Sequence, residues 1–331
     1  MAIRWMKPKA VAEVVALTAT TATGALGAPL AGLPAAASLA IALEAAFRAG
    51  VPVHDPPLPA RDEAVFLLHT AAEIEHALLV QYLYAAYSLK SAEEIDDDDS
   101  QRKKQRQDNV LTWRNTLVSI AKEEMGHLMT VQNLLLLLGA PLNFEREALP
   151  FKSDFYPFHF RLERLTKESL ARYVLAERPE DPRHQFLTEE QEKDLLQHAA
   201  RELPKEDVAT NEAMPVNRVG ALYAKLYCLF ARGDEPNPWI PCSRLREHFE
   251  ESLRHLADED FLESASGIAS SQAPTSDWDQ NASPDYHILV PLVTNRHQAL
   301  DAIRMMKSFA GSMQAYRTDG WQAGVSPTRK T

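Results

Sequence analysis

Two stretches of this sequence repeat apolar residues every three or four positions, and each interrupts its apolar seam with groups that ionise. From Asp62 to Lys90 the seam runs through Leu68, Ala71, Leu78, Ala85 and Leu89, the spacing of a helix that buries one face in a bundle. The same register puts Glu75 and Tyr82 on the inward stripe. A second helix is predicted over Asn109–Leu138, stopped by Gly139 and Pro141, with Leu117, Ile120, Glu124, His127, Val131, Leu134 and Leu138 as its seam. Glu124 and His127 lie three apart, so they project from one face about a turn from each other. An ionised carboxylate in an apolar core costs several kcal/mol unless a cation or a hydrogen-bond network compensates it. The pattern therefore constrains the chain to long packed helices around a polar interior site.

The remaining periodicity completes an all-α architecture. A third core helix is expected over Val216–Ala231, with Val216, Val219, Tyr223, Leu226 and Phe230 inward and no carboxylate among them. A last long helix is expected over Tyr286–Tyr316, started or broken near Pro291. Shorter helices are expected over Lys167–Ala176, Thr188–Glu202 and Ser243–Leu256. The aromatic stretch from Phe151 to Phe160 has no helical period and reads as a segment packed extended across the bundle. The charge run from Glu93 to Arg106 reads as a solvated loop, and the Ser- and Pro-rich stretch 264–283 as another loop. No strand pattern, internal repeat or phosphate-binding glycine motif is found. The expected fold is a four-helix bundle with accessory helices over residues 61–331, preceded by an Ala-rich N-terminal extension over 1–60 that ends in the prolines of 56–59.

Composition narrows the partners. With 35 Lys and Arg against 46 Asp and Glu the formal charge is −11, and nucleic acid is excluded because phosphate binding requires a basic face. Hydrophobic residues at 45% suffice for a folded core. Residues 1–38 follow the basic-then-apolar order of an export signal, with Ala35–Ala37 as the alternative cleavage point. Glu13, Gly24, Gly27, Pro29 and Pro34 interrupt it, so no run of about 20 apolar residues is available for a membrane span. Cys228 and Cys242 are fourteen apart without a CxxC spacing and read as two packed thiols, which points to a reducing, cytoplasmic setting. A monomer or small homo-oligomer is expected.

Glu75, Glu124 and His127 are the candidate metal ligands, since carboxylate oxygens and a neutral imidazole suit iron, manganese or zinc, and helical bundles build sites in this way. The competing reading bonds Glu75 to Tyr82 and makes His127 a satisfied core histidine. Glu73 and His76 form a second ExxH on the first helix. Glu73 lies about 160° around the helix from Glu75, whereas His76, about 100° away, reaches the edge of the site as a weaker ligand candidate. Tyr82, Glu124 and His127 are the candidates for proton transfer or catalysis.

The segments AAEIEHALLVQYLYAAYSL, IAKEEMGHLMTVQNLLLLLGAP and FYPFHFRLERLTKESLARYVLAERP resemble the ferritin-like domain of the iminophenyl-pyruvate dimer synthases of bisindole pathways such as violacein's. The resemblance covers roughly residues 63–180. It implies that Glu75, Glu124 and His127 match the first-half ligands of a di-iron site, with Gln81 and Tyr82 beside them, and that iron or manganese is the cofactor, as one or two ions. The second half departs from that pattern: Ala221 stands where similar proteins have a Glu, and Ser308–Gly311 supplies no acid. Glu212, His248, His255, His287, His297 and Asp301 are the weak substitutes for the missing ligands. The function expected from the resemblance is a metal-dependent oxidoreductase or oxidative coupling enzyme acting on a small aromatic or amino-acid-derived metabolite. The alternative is a ferritin-like protein with a degenerate metal site, serving as a binding or scaffold partner. A metal-free acid–base enzyme using Glu124 and His127 and an iron store are the lesser readings.

Overall fold

The computed structural model describes residues 2–6, 51–146, 161–177, 198, 219–233, 242, 254–262, 272 and 288–306. Helix α1 (Ala60–Tyr87) starts where the proline run ends. Pro59 is extended, with ψ 148°, and its carbonyl accepts the first helical bond from Glu63 N at 2.9 Å. Helix α2 (Ser100–Leu137) is capped by Asp99, whose carboxylate accepts from the backbone N–H groups of Gln101 and Arg102 at 2.9 Å each. It ends at Gly139, whose φ of 62° lets Gly139 N and Ala140 N turn back to the carbonyls of Leu136 and Leu135. Helices α3 (Lys167–Glu177) and α4 (Val219–Phe230) follow, then α5 over residues 296–306.

The first two helices form an antiparallel hairpin pinned at both ends. Arg61 at the start of α1 donates to Leu138 O at 2.7 Å, and Arg114 in α2 donates to Leu89 O at 2.9 Å beyond the end of α1. Between these pins Leu68, Ala71, Leu78 and Ala85 of α1 meet Leu117, Val131 and Leu134 of α2 in one apolar core. Leu222, Leu226 and Phe230 of α4 and Ala299, Ile303 and Met306 of α5 close it. The chain is thus an all-α bundle, as its periodicity predicts. No helix among the described residues is long and apolar enough to cross a membrane.

Three expectations are corrected. The run from Glu93 to Arg106 is not a solvated loop: Ala92–Glu94 forms a 3-10 turn, and α2 begins at Ser100, so Arg102, Lys103, Lys104 and Arg106 are helical. The acids organise the helix start, because Asp99 caps it while Asp97 pairs with Arg102 and Arg106, and Asp96 with Lys103. Strands are present, since β1 (Ala2–Met6) and β2 (Val51–Asp55) pair antiparallel with Ala2 opposite Asp55 and Met6 opposite Val51. At five residues each they are too short for an alternating pattern to stand out, and Pro52 masks the second. Cys228 and Cys242 are joined in a disulfide, their Cα atoms 5.3 Å apart, rather than being two thiols. The reducing setting inferred from free thiols loses its support. The aromatic stretch 151–160, most of the helices expected over 188–202 and 243–256, most of the loop 264–283, residues 308–311 and the export-like segment up to residue 38, apart from β1, lie outside the described residues.

A second buried charged cluster ties β2 to the bundle. His54 of β2, Glu63 of α1 and Lys225 of α4 are each 3% exposed or less. Glu63 Oε2 partners His54 Nδ1, and Glu63 Oε1 accepts from Lys225 Nζ. The His54 ring also stands edge-on to Phe66 at 4.4 Å between centroids. Burial pushes the Lys225 pKa below the usual lysine range, and the charge and hydrogen bond of Glu63 oppose that push. Removing one partner leaves a buried carboxylate without its cation. Lys225→Ala is therefore expected to cost about 3–5 kcal/mol in chemical denaturation. The double change Glu63→Gln with Lys225→Met is expected to cost less than Lys225→Ala alone, because no uncompensated charge remains. A double variant less stable than Lys225→Ala would contradict this account.

Candidate metal centre

Glu75 sits midway along α1 and points into the core, with Ala71, Ala72, Ile74 and Leu78 buried around it. Across the hairpin, α2 presents Glu124 and His127 a turn apart, as their three-residue spacing requires. Glu75 is 2% and Glu124 4% exposed, and the His127 side chain 12%. One ligand atom from each of the three lies within 4.8 Å of the other two. His127 Nδ1 faces both carboxylates, 3.1 Å from Glu124 Oε2 and 3.4 Å from Glu75 Oε2. Glu75 Oε1 accepts a 2.5 Å hydrogen bond from the hydroxyl of Tyr223 on α4. Glu75 Oε2 is buried and has no hydrogen-bond partner among the described residues.

The electrostatics follow from that packing. Burial alone would lower the His127 pKa, but hydrogen bonds and charges from Glu124 and Glu75 outweigh it and hold the imidazole well above its usual value. Burial alone would raise Glu75, and His127, with Glu124 and Tyr223, holds it below the ordinary carboxylate value instead. A cation shared between two acids is therefore built into the cluster, with a proton on His127 serving as that cation when nothing else does. Two carboxylates carry two negative charges, of which a proton on His127 balances one. A divalent ion would balance both, and Glu75 Oε2, without a hydrogen-bond partner among the described residues, faces the other two groups. Oxygen and imidazole donors of this kind suit iron, manganese or zinc.

The three strongest candidate ligands are brought together and the others are not. His76 is partly buried, with Nδ1 shielded and without a hydrogen-bond partner among the described residues, and lies outside the group. Glu73, on the far side of α1, accepts from Asn143 Nδ2 at 3.3 Å. Tyr82 is 1% exposed, about 10 Å along α1 from Glu75 by helical rise, and its ring tilts against Tyr173 at 5.1 Å between centroids. Gln81 donates to Arg161 O at 2.9 Å. Of the second-half substitutes, His255 is exposed and His297 pairs with Asp301 at 3.5 Å on the surface. Glu212, His248 and His287 lie outside the described residues. The tyrosine hydroxyl that reaches Glu75 is that of Tyr223, which the seam of the third helix identified only as core. Its one sequence signal was a phenol on a stripe otherwise made of hydrocarbon.

Residues 68–237, about half of the chain, match the ferritin-like family, and the match contains Glu75, Glu124, His127 and Tyr223. The chain belongs to the ferritin-like family. It is similar to the dichlorochromopyrrolate synthase of Lentzea aerocolonigenes, 31% identical over 150 residues that cover 39% of this chain and 15% of that protein. It is also similar to the 2-imino-3-(indol-3-yl)propanoate dimerase of Chromobacterium violaceum, 32% identical over 132 residues that cover 34% of this chain and 13% of that one. The chain thus spans under a sixth of the length of either relative. No solved structure gives a significant match.

Within this ferritin-like frame the wall beside the ligands is set by a glycine. Gly126 lies between Glu124 and His127 in sequence, and a Cβ there would stand 2.8 Å from the carbonyl oxygen of Leu289. Its absence lets residues 288–290 lie against α2, where Val290 is buried and Asn133 Nδ2 donates to Pro291 O at 2.9 Å. In an open helix Gly→Ala gains about 0.5–1 kcal/mol, whereas overpacking against a backbone typically costs about 1–3 kcal/mol. The clash should win. Gly126→Ala is expected to lower stability by about 1 kcal/mol in denaturant titration, while Gly233→Ala, whose Cβ meets nothing within 4 Å, stays within about 0.5 kcal/mol of the parent. A stabilised Gly126→Ala would show that the 288–290 segment does not lie where described.

Proposed function

We propose that Glu75, Glu124 and His127 hold a redox-active metal ion, iron or manganese, and that the protein is an enzyme that oxidises or oxidatively couples a small aromatic or amino-acid-derived metabolite. The observation that carries the metal is the convergence of two buried carboxylates and an imidazole, with Glu75 Oε2 lacking a hydrogen-bond partner among the described residues. The substrate class draws on the names of two relatives, a chromopyrrolate synthase and an indolyl-imine dimerase. When bound, such an ion supplies one-electron chemistry and an open coordination position, which structural sites lack.

The chain's own residues divide the remaining work. Glu75 and Glu124 supply the two negative charges that balance a divalent ion, and His127 supplies a neutral nitrogen once its proton has left. Tyr223 fixes the orientation of the Glu75 carboxylate through Oε1. The apolar side chains around Glu75 exclude water, which strengthens every charge interaction inside. Tyr82, lodged against Tyr173 further along α1, is the proposed phenol for hydrogen bonding or proton donation.

A second reading has its own observation. His127 already lies at ion-pair distance from both carboxylates, so the cluster could serve as a buried structural ion pair in a protein that binds a partner without catalysis. Metal analysis separates the two. Purified parent protein is expected to carry iron or manganese in stoichiometric amount, and Glu124→Ala to lose it with affinity lowered by about 100-fold or more, beyond the roughly 10- to 100-fold that outer partners are worth. A folded parent that stays empty after anaerobic loading with either metal would leave the scaffold reading in possession.

A further inference from the structure

Outside the metal centre, two buried polar atoms near Tyr82 have no hydrogen-bond partner among the described residues. Gln81 on α1 is 4% exposed; its Nε2 donates to Arg161 O at 2.9 Å, while its Oε1 is buried and unpartnered. Tyr173 on α3 is 5% exposed and packs its ring against Tyr82, and its hydroxyl is likewise buried and unpartnered. Glu163, two residues beyond Arg161, pairs with Arg172 and acts by its charge on Tyr173, so residues 81–82, 161–163 and 172–173 meet in one corner of the bundle. A buried amide oxygen and a buried hydroxyl left without partners cost free energy that Leu and Phe in their places would not. Buried tyrosine hydroxyls usually find a partner. Burial, and after it the charge of Glu163, raises the Tyr173 pKa against the opposing charge of Arg172, so the phenol keeps its proton and can donate. Gln81 Oε1 can only accept. The corner therefore calls for one donor and one acceptor from outside the chain. Both groups are neutral, and Glu163 and Arg172 already pair with each other, so an uncharged occupant is favoured.

We propose that Gln81 and Tyr173 form a binding subsite beside Tyr82 for a flat, uncharged molecule: the Gln81 amide oxygen accepts from its N–H or O–H, and the Tyr173 hydroxyl donates to its carbonyl or ring heteroatom. The rings of Tyr82 and Tyr173, 5.1 Å apart between centroids, give the site an aromatic wall, which is why the occupant is flat. The inference goes beyond the metal reading and stands without it, since Gln81 lies about 9 Å along α1 from Glu75 by helical rise. An ordered water would answer the same two atoms, and the experiment separates it from a ligand.

Three flat probes of similar size, titrated by calorimetry into the full chain as purified, read the two bonds separately. Oxindole carries a ring N–H and a carbonyl, coumaranone has a ring oxygen in place of that N–H, and indole lacks the carbonyl. The parent is expected to bind oxindole about 10-fold more tightly than either of the others, the order expected when losing one hydrogen bond leaves a buried group unpaired. Gln81→Leu is expected to lose the preference over coumaranone and keep the preference over indole. Tyr173→Phe is expected to do the reverse, and to melt no lower than the parent, because it removes a hydroxyl that no protein group satisfies. Equal binding of the three probes by the parent, or no binding of any, would overturn the inference, leaving water as the occupant and the metal reading untouched. A Tyr173→Phe variant that melts well below the parent would overturn it too, since the hydroxyl would then be bonded within the protein. Should Gln81→Leu fail to fold, the parent's preferences and Tyr173→Phe still decide.

Discussion

Carboxylates inside a helix hairpin tolerate little freedom in how the hairpin is built. Glu75 can be compensated only if α2 delivers its own groups at the same depth, and that depth is fixed by where α1 and α2 start and stop. Arg61 reaching Leu138 O and Arg114 reaching Leu89 O hold the two ends in register, and Gly139 stops α2 by adopting φ 62°. A slip of one turn along the hairpin would move Glu124 and His127 by about 5 Å and bring Ile120 or Val131 toward Glu75 in place of one of them. The capping acids and the terminal arginines thus contribute to the site although none touches it. The arginines bond backbone carbonyls, and the acids pair with side chains at the surface, where an ion pair is worth little. Their value is geometric.

Much of this was legible before any coordinates, and the part that was not has a common cause. Periodicity reveals what a residue does within its own helix, so Glu75, Glu124 and His127 stood out against hydrocarbon neighbours, and Gly139 with Pro141 marked the end of α2. Tyr223 did not stand out, because a phenol is amphipathic and sits in a core seam without penalty until its hydroxyl needs a partner. That partner is 148 residues away. Lys225 is not in the seam of its helix, where a lysine commonly reaches out to solvent, yet it is 1% exposed and meets Glu63 in the core. His54 lay near the end of the Ala-rich extension, with no visible strand. The Cys228–Cys242 bond likewise depends on a return of the chain that the fourteen-residue spacing does not encode. What sequence hides here is pairing between elements, and what it shows is the face each element turns inward.

The two buried glutamates of α1 show why one cluster reads as structural and the other as a site. Glu63 meets a nitrogen donor at each oxygen, His54 at one and Lys225 at the other, so its hydrogen-bonding capacity is met by the protein and nothing further is needed. Glu75, about 18 Å along the same helix, meets a donor at one oxygen only, and its other oxygen faces a second carboxylate across one shared imidazole nitrogen. If burial of charge served only to fix the helices in place, both glutamates would be expected to end in saturated networks, since a half-satisfied one costs more than an apolar core. Evidently the chain can build a saturated cluster, and it does so at Glu63. The oxygen without a hydrogen-bond partner at Glu75, which has no counterpart at Glu63, is what the proposed metal site rests on.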